Sequence, residues 1–223
     1  LIKGQEAENI CYQDTMKADC FKDTKMRFVL ENPPFGTPWG GKDAAEGVEQ
    51  AVIDEHKKGF SGRWGAGLPV SGDMQMLFLQ SAIDKMDDNV GRAAIIENGS
   101  PLFAGGTASG ESQIRRWMLE SDYIEAIIAL PTDLFYNTGI ATYIWILSKN
   151  KRDERKGKIQ LIDASSFYHK LRKALGDKKN EILAEDRKTI TELYSKFEPN
   201  EYCKIYNNEE FIYREYAVMQ PLQ

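Results

Sequence analysis

The sequence has no uninterrupted apolar run of the about 18 residues from which a membrane-spanning helix is usually inferred. It also has no basic stretch followed by a short apolar segment, which is the pattern of a secretion signal. We therefore expect no membrane partner and a location in the cytoplasm. The 223 residues, of which 42% are hydrophobic and 28% are charged, are sufficient to bury a core and are ordinary for a globular protein.

Cysteine is scarce and shows no pattern. The three residues, Cys11, Cys20 and Cys203, are odd in number and have no C-x-x-C spacing. Reduced thiols fit this arrangement better than a disulfide framework or a zinc site does. The sequence therefore predicts neither a disulfide nor a metal centre.

An excess of basic residues is also missing. The 29 Lys and Arg residues are outnumbered by 34 Asp and Glu residues, which gives a formal net charge of −5. Proteins that hold duplex DNA by themselves usually carry a basic surface. If this protein acts on DNA, we expect much of its DNA affinity to come from a partner.

The most informative feature that is present is the tetrapeptide Asn32-Pro33-Pro34-Phe35. It directly follows the apolar run 28–30, which predicts a buried strand. Two consecutive prolines cannot continue the hydrogen-bond ladder of a sheet, so the strand must end there and the chain must turn. Because open α/β sheets bind ligands beyond the carboxyl ends of their strands, this corner is a candidate site.

The corner offers groups that suit a planar substrate with an exocyclic amino group. The side-chain oxygen of Asn32 and the backbone carbonyl of Pro33 can accept two hydrogen bonds, and the ring of Phe35 can stack. A base flipped out of a DNA duplex is held in this way. Accepting both N–H groups of adenine N6 localises the lone pair of that nitrogen, so methyl transfer needs no separate general base. A proline-rich turn that only ends a strand, with Asn32 as a turn residue, remains the alternative.

The rest of the chain alternates strands and helices, as expected for an α/β protein with a doubly wound sheet. The segment 36–72 contains nine of the eighteen glycines and is predicted to be a long mobile loop. Ser109 is a candidate helix N-cap. The predicted strands are 27–31, 93–96, 124–130, 141–147 and 158–163, and the predicted helices are 73–86, 111–120 and 186–197.

Five longer stretches carry a family resemblance. In order they are RFVLENPPFGTPW, GDMQMLFLQSAIDKM, AAIIENGSPLFAGG, GESQIRRWMLESDYIEAIIALPTDLFYNTGIATYIWILSKNK and GKIQLIDASSFY. Nearly the whole chain thereby resembles the modification (methylation) subunit of type I restriction–modification systems. The resemblance implies a Rossmann-like doubly wound sheet and an N6-adenine DNA methyltransferase that uses S-adenosylmethionine and flips its target base. It also implies three partners, namely DNA, a specificity subunit and a restriction subunit.

The same resemblance assigns roles to individual residues. It makes the corner at 32–35 the catalytic element that orients and stacks the target adenine. It also implies an aromatic residue, after the strand 124–130, that stacks on the opposite face of the base. Phe135 fits that position best and Tyr136 next, although Phe135 filling the core beneath its loop remains an alternative.

The cofactor half of the family's domain has no counterpart in this sequence. Family members carry a glycine-rich cofactor loop upstream of the corner, and nothing before Asn32 matches it. The resemblance instead implies a strand at 9–13, followed by Asp14 near the cofactor adenine. We therefore expect residues 1–165 to be the C-terminal part of a methyltransferase domain and residues 166–223 to be a helical and irregular extension. Such a fragment is expected to be inactive alone.

Three other functions stay open at this point. Methyltransferases that act on RNA bases or on a protein glutamine amide also use N-P-P-aromatic corners, although the segments NGSPLF and LFYNTGIATYIWIL argue against both. The chain could instead be a non-catalytic scaffold for the specificity subunit. It could also belong to a fused restriction–methylation enzyme, for which it shows no nuclease motif.

Overall fold

Eight strands are found in the residues that the structure, a computed structural model, describes, namely 4, 6–213 and 216–219. In chain order the strands are β1 (Phe28–Glu31), β2 (Arg92–Asn98), β3 (Ile124–Ala129), β4 (Thr142–Ser148), β5 (Lys158–Asp163), β6 (His169–Leu175), β7 (Lys178–Glu181) and β8 (Cys203–Asn207). Six of them form a central sheet in the order β1-β2-β4-β3-β5-β8. The other two, β6 and β7, form a separate antiparallel hairpin.

Four strands of the central sheet run in the same direction. β1 pairs in parallel with β2, and β3 pairs in parallel with β5. β4 is antiparallel to β2 and β3, and β8 is antiparallel to β5. The carboxyl ends of β1, β2, β3 and β5 therefore lie along one edge of the sheet, which we call the carboxyl edge. The predicted α/β class is confirmed, and the central sheet is mainly parallel.

Helices cover both faces of the sheet, as a doubly wound fold requires. They are α1 (Val48–His56), α2 (Gln75–Lys85), α3 (Ser100–Phe103), α4 (Gly110–Glu120) and α5 (Ala184–Lys196). Ile127 of β3 packs with α2 and α4 in one core cluster, whereas the adjacent Ile128 packs with α5 in another. Successive strand residues point to opposite faces, so these clusters lie on opposite sides of the sheet. No helix in the described residues is both long and apolar enough to cross a membrane.

The predicted strands and helices between residues 27 and 197 are confirmed, with ends that agree to within two residues. α4 illustrates why capping residues and apolar spacing were sufficient to predict these elements. The Ser109 hydroxyl accepts a hydrogen bond from Ser112 N (3.3 Å), which is the predicted N-cap. Ile114 and Met118, four residues apart, are both fully buried and form the face that packs on the sheet.

The prediction of a long mobile loop at 36–72 is wrong. α1 lies within this segment, and its residues Val48 and Val52, four apart, are buried. They belong to a second core cluster, which also contains Met16, Trp39, Trp64, Met74 and Leu77. The Trp64 indole N–H donates to the carbonyl of Leu77 on α2 (3.1 Å). The segment is therefore packed against α2 despite its many glycines.

The predicted strand at 9–13 is also wrong. Residues 10–25 form turns and irregular backbone, and the buried side chain of Met16 anchors them in the second core cluster. The Arg63 guanidinium holds the same segment, because it donates to the carbonyls of Thr15 (2.5 Å) and Met16 (3.2 Å). These tertiary contacts hold the segment against the second cluster rather than in the sheet.

The expectation of three reduced cysteines is corrected by the structure. Cys11 and Cys20 form a disulfide, and Cys203 is a free and buried thiol. The turns in this segment bring the Cα atoms of Cys11 and Cys20 to 6.4 Å, which is a separation that a disulfide can span. A pairing of this kind depends on the turn geometry, which the spacing of the cysteines did not reveal.

Residues 166–223 contain more regular structure than the predicted helical and irregular extension. They include the β6–β7 hairpin and β8 in addition to α5. β8 pairs with β5 from Lys158↔Asn207 to Ile162↔Cys203. β8, which belongs to the predicted extension, therefore completes the central sheet. The predicted boundary at residue 165 does not separate the extension from the sheet.

β1 forms an edge of the central sheet. Within the described residues it pairs with β2 alone. The prediction of a buried strand from the run 28–30 is wrong, because Phe28 is 63% and Leu30 80% exposed and only Val29 is buried. This edge strand therefore presents large apolar side chains. An apolar edge with unpaired backbone groups favours pairing with a second chain.

Leu30→Lys should reduce self-association of the 223-residue chain, because a charge on an exposed edge strand disfavours edge-to-edge pairing. Light scattering over a range of protein concentrations measures the change in average mass. Leu175→Lys, which places the same charge at an exposed apolar position (46%) of the separate hairpin, is the matched control. Equal association of both variants and the wild type would mean that the β1 edge is not the contact.

Candidate functional site at the carboxyl edge

The corner ends β1 as predicted. β1 pairs with β2 up to Glu31, and the chain leaves the sheet at Asn32. Pro33 is buried, Phe35 is half-buried, and Asn32 and Pro34 are exposed. No described residue forms a hydrogen bond with the Asn32 side chain. Its amide oxygen is therefore free to accept a hydrogen bond from a ligand.

Hydrogen bonds hold the chain that leaves the corner. The Thr37 carbonyl accepts a hydrogen bond from Met74 N (3.0 Å), and Trp39 N donates to the Ser71 carbonyl (2.9 Å). The Trp39 indole N–H donates to the Val70 carbonyl (3.1 Å). The segment that leads into α2 therefore determines the path of the chain after the corner.

A buried glutamine joins the start of α2 to the end of β2. Gln75 is 1% exposed; its side chain accepts a hydrogen bond from Asn98 N (2.8 Å) and donates to Asn98 Oδ1 (3.0 Å). The same Asn98 oxygen accepts a hydrogen bond from Ser100 N (2.8 Å), and Gln75 Nε2 also donates to Asp73 (2.7 Å). The chain segments that flank β2 and α2 at the carboxyl edge are thereby connected to each other.

The two predicted stacking residues lie in the loop 131–140, between β3 and β4. Phe135 is half-buried and forms an isolated bridge with Thr138, whereas Tyr136 is 60% exposed. Leu134, rather than Phe135, packs against the core cluster beneath α5. Both aromatic side chains are therefore placed at the carboxyl edge of the sheet.

The corner and the loop share this edge, but their rings are not brought together. β2 and β4 lie between β1 and β3, so the corner and the loop leave the sheet about 14 Å apart at roughly 4.8 Å per strand. The ring contacts among the described residues do not include one between Phe35 and Phe135. A base could stack on both rings only if the loop and the corner moved closer to each other.

The β6–β7 hairpin holds the loop 131–140 in place. Asp133 has a φ of +57°, and its carbonyl accepts hydrogen bonds from the N–H groups of Lys179 (2.9 Å) and Asn180 (3.1 Å). The Tyr136 carbonyl accepts a hydrogen bond from the N–H that follows Gly176 (3.0 Å). The loop is therefore attached to the hairpin both near its start and at its tip.

Two carboxyl groups lie on the sheet face that packs against α2. Glu31 and Glu97 each follow, two residues on, a core residue of that face, Val29 and Ile95 respectively. Glu97 is fully buried, and neither of its oxygens has a hydrogen-bond partner in the described residues. Burial raises the pKa of Glu31 to about 7 and that of Glu97 to about 10, and the charges of Asp73 and Glu31 add to the second shift. Glu97 is therefore protonated at neutral pH.

The buried carboxyl and the hairpin were not predicted, although the sequence carries a signal for each. Along β2, a period of two places Glu97 on the same face as the core residues Ala93 and Ile95. In the hairpin, Leu175 pairs with Lys178 around a two-residue Gly-Asp turn, which is a common hairpin connection.

Asp14, which the resemblance assigns to the cofactor, lies in an exposed turn. Its Oδ1 accepts a hydrogen bond from Met16 N (2.9 Å), so the side chain shapes that turn. No hydrogen bond or ion pair within the described residues joins Asp14 to the corner at 32–35. The role of Asp14 at the cofactor therefore stays a prediction.

A wide groove of about 1500 Å³ lies on the sheet face beside α4. Its apolar lining includes Leu102, Phe103, Ile127, Tyr143 and Leu161. None of the residues 32–35 lines this groove. The groove and the corner are therefore separate surfaces.

The sheet, its helices on both faces and the corner at its carboxyl edge define a protein with a methyltransferase fold. The solved structure of the type I restriction–modification system methyltransferase subunit from Streptococcus thermophilus matches with a TM-score of 0.70 and 25% sequence identity. The match covers 88% of this chain and 38% of that chain. A modification subunit of a putative type I restriction enzyme from Vibrio vulnificus shares the fold, with a TM-score of 0.64 and 17% identity over 91% of this chain and 38% of that one.

Sequence comparison gives the family. The model of the N-6 DNA methylase family matches residues 1–222, so the chain belongs to this family. The chain is 27% identical over 202 residues to the type I restriction enzyme MjaIX methylase subunit of Methanocaldococcus jannaschii, covering 90% of this chain and 33% of the relative. It is 31% identical over 155 residues to the HindI methylase subunit of Haemophilus influenzae, covering 70% and 31%. The chain thus spans about a third of the length of these relatives.

Glu97→Gln should stabilise the protein at neutral and alkaline pH. The folded chain keeps a proton on Glu97 that the unfolded chain, with the ordinary glutamate pKa of 4.5, releases. Stability is therefore lost as the pH rises above 4.5, by about 3 kcal/mol at neutral pH. Glutamine does not titrate, so we expect a higher urea midpoint for the variant at about pH 8 and a much smaller difference at about pH 5.

Glu120→Gln is the matched control, because it neutralises a half-exposed carboxylate that pairs with Arg116 at the helix surface. Its urea midpoint should stay near that of the wild type at both pH values. A Glu97→Gln variant that is less stable than the wild type at alkaline pH would contradict the assignment of a buried and protonated carboxyl group.

Proposed function

We propose that this chain is the target-base part of a DNA methyltransferase, the modification subunit of a type I restriction–modification system, which transfers a methyl group from S-adenosylmethionine to adenine N6. The observation that supports this most directly is the unpartnered amide of Asn32 at the end of β1. It stands beside the carbonyl of Pro33 on a corner that the second proline and the contacts of Thr37 hold in place.

The chemistry requires hydrogen-bond acceptors rather than an ionised base. Asn32 Oδ1 and the Pro33 carbonyl accept the two N–H groups of the adenine amine and draw the nitrogen towards tetrahedral geometry. The lone pair is then localised and directed at the methyl donor, and the two dipoles stabilise the positive charge that develops on nitrogen. The methylated amine is then positively charged and returns to neutrality by releasing one N–H proton to solvent water.

The methyl donor in this proposal is S-adenosylmethionine. S-adenosylmethionine supplies a methyl group that is activated by its sulfonium centre. Asp14 is the residue of this chain that the family resemblance places near the cofactor. One of its carboxylate oxygens already accepts a hydrogen bond from Met16 N, which leaves the other oxygen to meet a ligand. The residues that are well placed in this chain therefore serve the acceptor base rather than the donor.

Stacking would hold the base once it has left the duplex. Phe35 stands at the corner, and Phe135 and Tyr136 stand on the loop 131–140 of the same edge. Each aromatic stack is worth ~1–3 kcal/mol, which offsets much of the cost of unpairing and unstacking one base. In this proposal the loop moves towards the corner when DNA binds.

The partners follow from the same proposal. The net charge of −5 gives the chain as a whole no general attraction to DNA. Sequence-specific binding would come from a specificity subunit, and cleavage from a restriction subunit, in a cytoplasmic complex. The chain would contribute the groups that act on the flipped adenine.

Asn32→Ala should abolish methyl transfer and leave DNA binding near normal, because this amide acts on N6 alone. The assay supplies the protein as the cell makes it, with its partners, S-adenosylmethionine and unmethylated genomic DNA, and measures N6-methyladenine by mass spectrometry. Loss of one preorganised acceptor is expected to lower the rate by about 10²–10³-fold.

Asn89→Ala, which changes an exposed asparagine in the turn before β2, is the control and should methylate like the wild type. If Asn32→Ala retained turnover within about tenfold of the wild type, the orienting role would be refuted. If the wild-type protein itself formed no N6-methyladenine, the scaffold alternative would replace the catalytic proposal.

Phe135→Ala should weaken binding to a duplex with an unpaired target adenine by ~1–3 kcal/mol, because one stacking surface is removed. Tyr136→Ala should have a smaller effect, since the Lys178 ammonium already lies over its ring at 5.4 Å. Fluorescence of 2-aminopurine at the target position reports the stacking directly. Identical fluorescence in Phe135→Ala and the wild type would show that Phe135 does not touch the base.

A further inference from the structure

The β6–β7 hairpin concentrates positive charge in an otherwise acidic chain. Residues 169–181 include five Lys or Arg residues and two acidic residues, whereas the formal net charge of the whole chain is −5. Every residue of β6 except Leu171 is exposed. The hairpin therefore presents its charges to solvent.

Most of these charges have no counter-ion in the protein. The side chains of Lys170, Arg172 and Lys173 form no ion pair or hydrogen bond with any residue that the structure describes. Lys179 lies 3.6 Å from the Asp133 carboxylate, and the Lys178 ammonium lies over an aromatic ring. Three free cations therefore lie within four residues of one exposed strand, and this density of positive charge suits an extended polyanion.

The hairpin is attached to the loop that carries the two stacking residues. Asn180 is 6% exposed, and its side-chain amide donates to the Thr132 carbonyl (3.0 Å). At the turn, Gly176 has a φ of +62°, and a Cβ atom there would come within 2.6 Å of the Tyr136 carbonyl oxygen. Only glycine meets both conditions. The basic strand therefore has a defined position beside Phe135 and Tyr136.

We propose that the β6–β7 hairpin binds the phosphate backbone of duplex DNA next to the flipped nucleotide, with Lys170, Arg172 and Lys173 as the contacts. This inference rests on the proposed function and deepens it, because it names the surface of this chain that meets the DNA. An acidic protein surface would satisfy the same charges. The connection of the hairpin to the base-stacking loop favours DNA, since phosphates flank any base that reaches that loop.

The test is DNA binding by the triple variant K170Q/R172Q/K173Q. These side chains form no internal polar interactions, so the variant should fold like the wild type. The probe is an unmethylated duplex of about 30 base pairs and arbitrary sequence, because phosphate binding does not depend on sequence. We expect affinity to fall at least about tenfold at roughly 0.1 M salt. The slope of log Kd against log salt should decrease by about one for each phosphate that the variant no longer neutralises.

The matched control is K57Q/K156Q/K188Q, which removes three exposed charges from α1, the turn before β5 and α5. It should bind the duplex like the wild type. Both variants are made in the protein as the cell makes it, and methylation of genomic DNA by the wild type is measured in parallel.

Each outcome decides between the two proposals. If the wild type binds and methylates DNA but the hairpin variant binds with unchanged affinity and salt slope, the hairpin inference is wrong and the proposed function stands. Polyglutamate is the probe for an acidic protein surface. If the hairpin variant no longer binds polyglutamate but keeps its DNA affinity, the surface serves an acidic protein and the inference is overturned. If the wild type neither binds nor methylates DNA, the proposed function fails and the hairpin inference fails with it.

Discussion

The carboxyl edge of this protein depends on the pair of hydrogen bonds between the Gln75 side chain and Asn98. Gln75 is almost fully buried, and an unpaired buried amide would cost about 1–3 kcal/mol, so the two partners hold each other at one separation. The residues of this pair and their neighbours also hold two adjoining segments of the chain. Met74, one residue before Gln75, donates to the Thr37 carbonyl and so holds the chain after the corner. Asn98 Oδ1 accepts from Ser100 N and so starts α3. The corner is thereby tied to the second strand as well as to its own.

The charges at this edge are unevenly distributed between the corner and the hairpin. Glu97, which would place a negative charge beside the corner, is kept protonated by burial, which raises its pKa. The acceptors at the corner itself, the Asn32 amide and the Pro33 carbonyl, are neutral dipoles that accept N–H groups without titrating. Cationic side chains are collected on the β6–β7 hairpin rather than in the corner at 32–35. In the proposed function, this edge would combine the neutral acceptors of the corner, which meet the base, with the cations of the hairpin, which meet the neighbouring phosphates.

Local signals were sufficient for five of the six strands of the central sheet, with β8 missed, and insufficient for the elements that depend on distant contacts. The β-branched runs and the cap at Ser109 act within a few residues, so β2, β5 and α4 were predicted with nearly correct ends. The segment 36–72 was misjudged because its glycines suggest flexibility, while its order comes from Trp39 and Trp64 packing against α2. The strand at 9–13 failed for a related reason, since the anchoring of Met16 by Arg63 joins residues 47 apart in sequence.

In the candidate site, too, one part is determined by local sequence and the other by distant contacts. Two prolines restrict the backbone of their own and the preceding residue, so the corner could be located from four letters of sequence. The position of Phe135 has no such local determinant. It depends on Asp133 adopting a left-handed conformation, on the Asp133 carbonyl accepting two N–H groups of β7, and on a glycine turn that fits under the Tyr136 carbonyl. These contacts link the loop to the hairpin, in addition to the packing of Leu134 against the core cluster beneath α5. In the proposed function, the acceptors of the amine would be held by the end of β1, whereas the second stacking surface would be held by the β6–β7 hairpin.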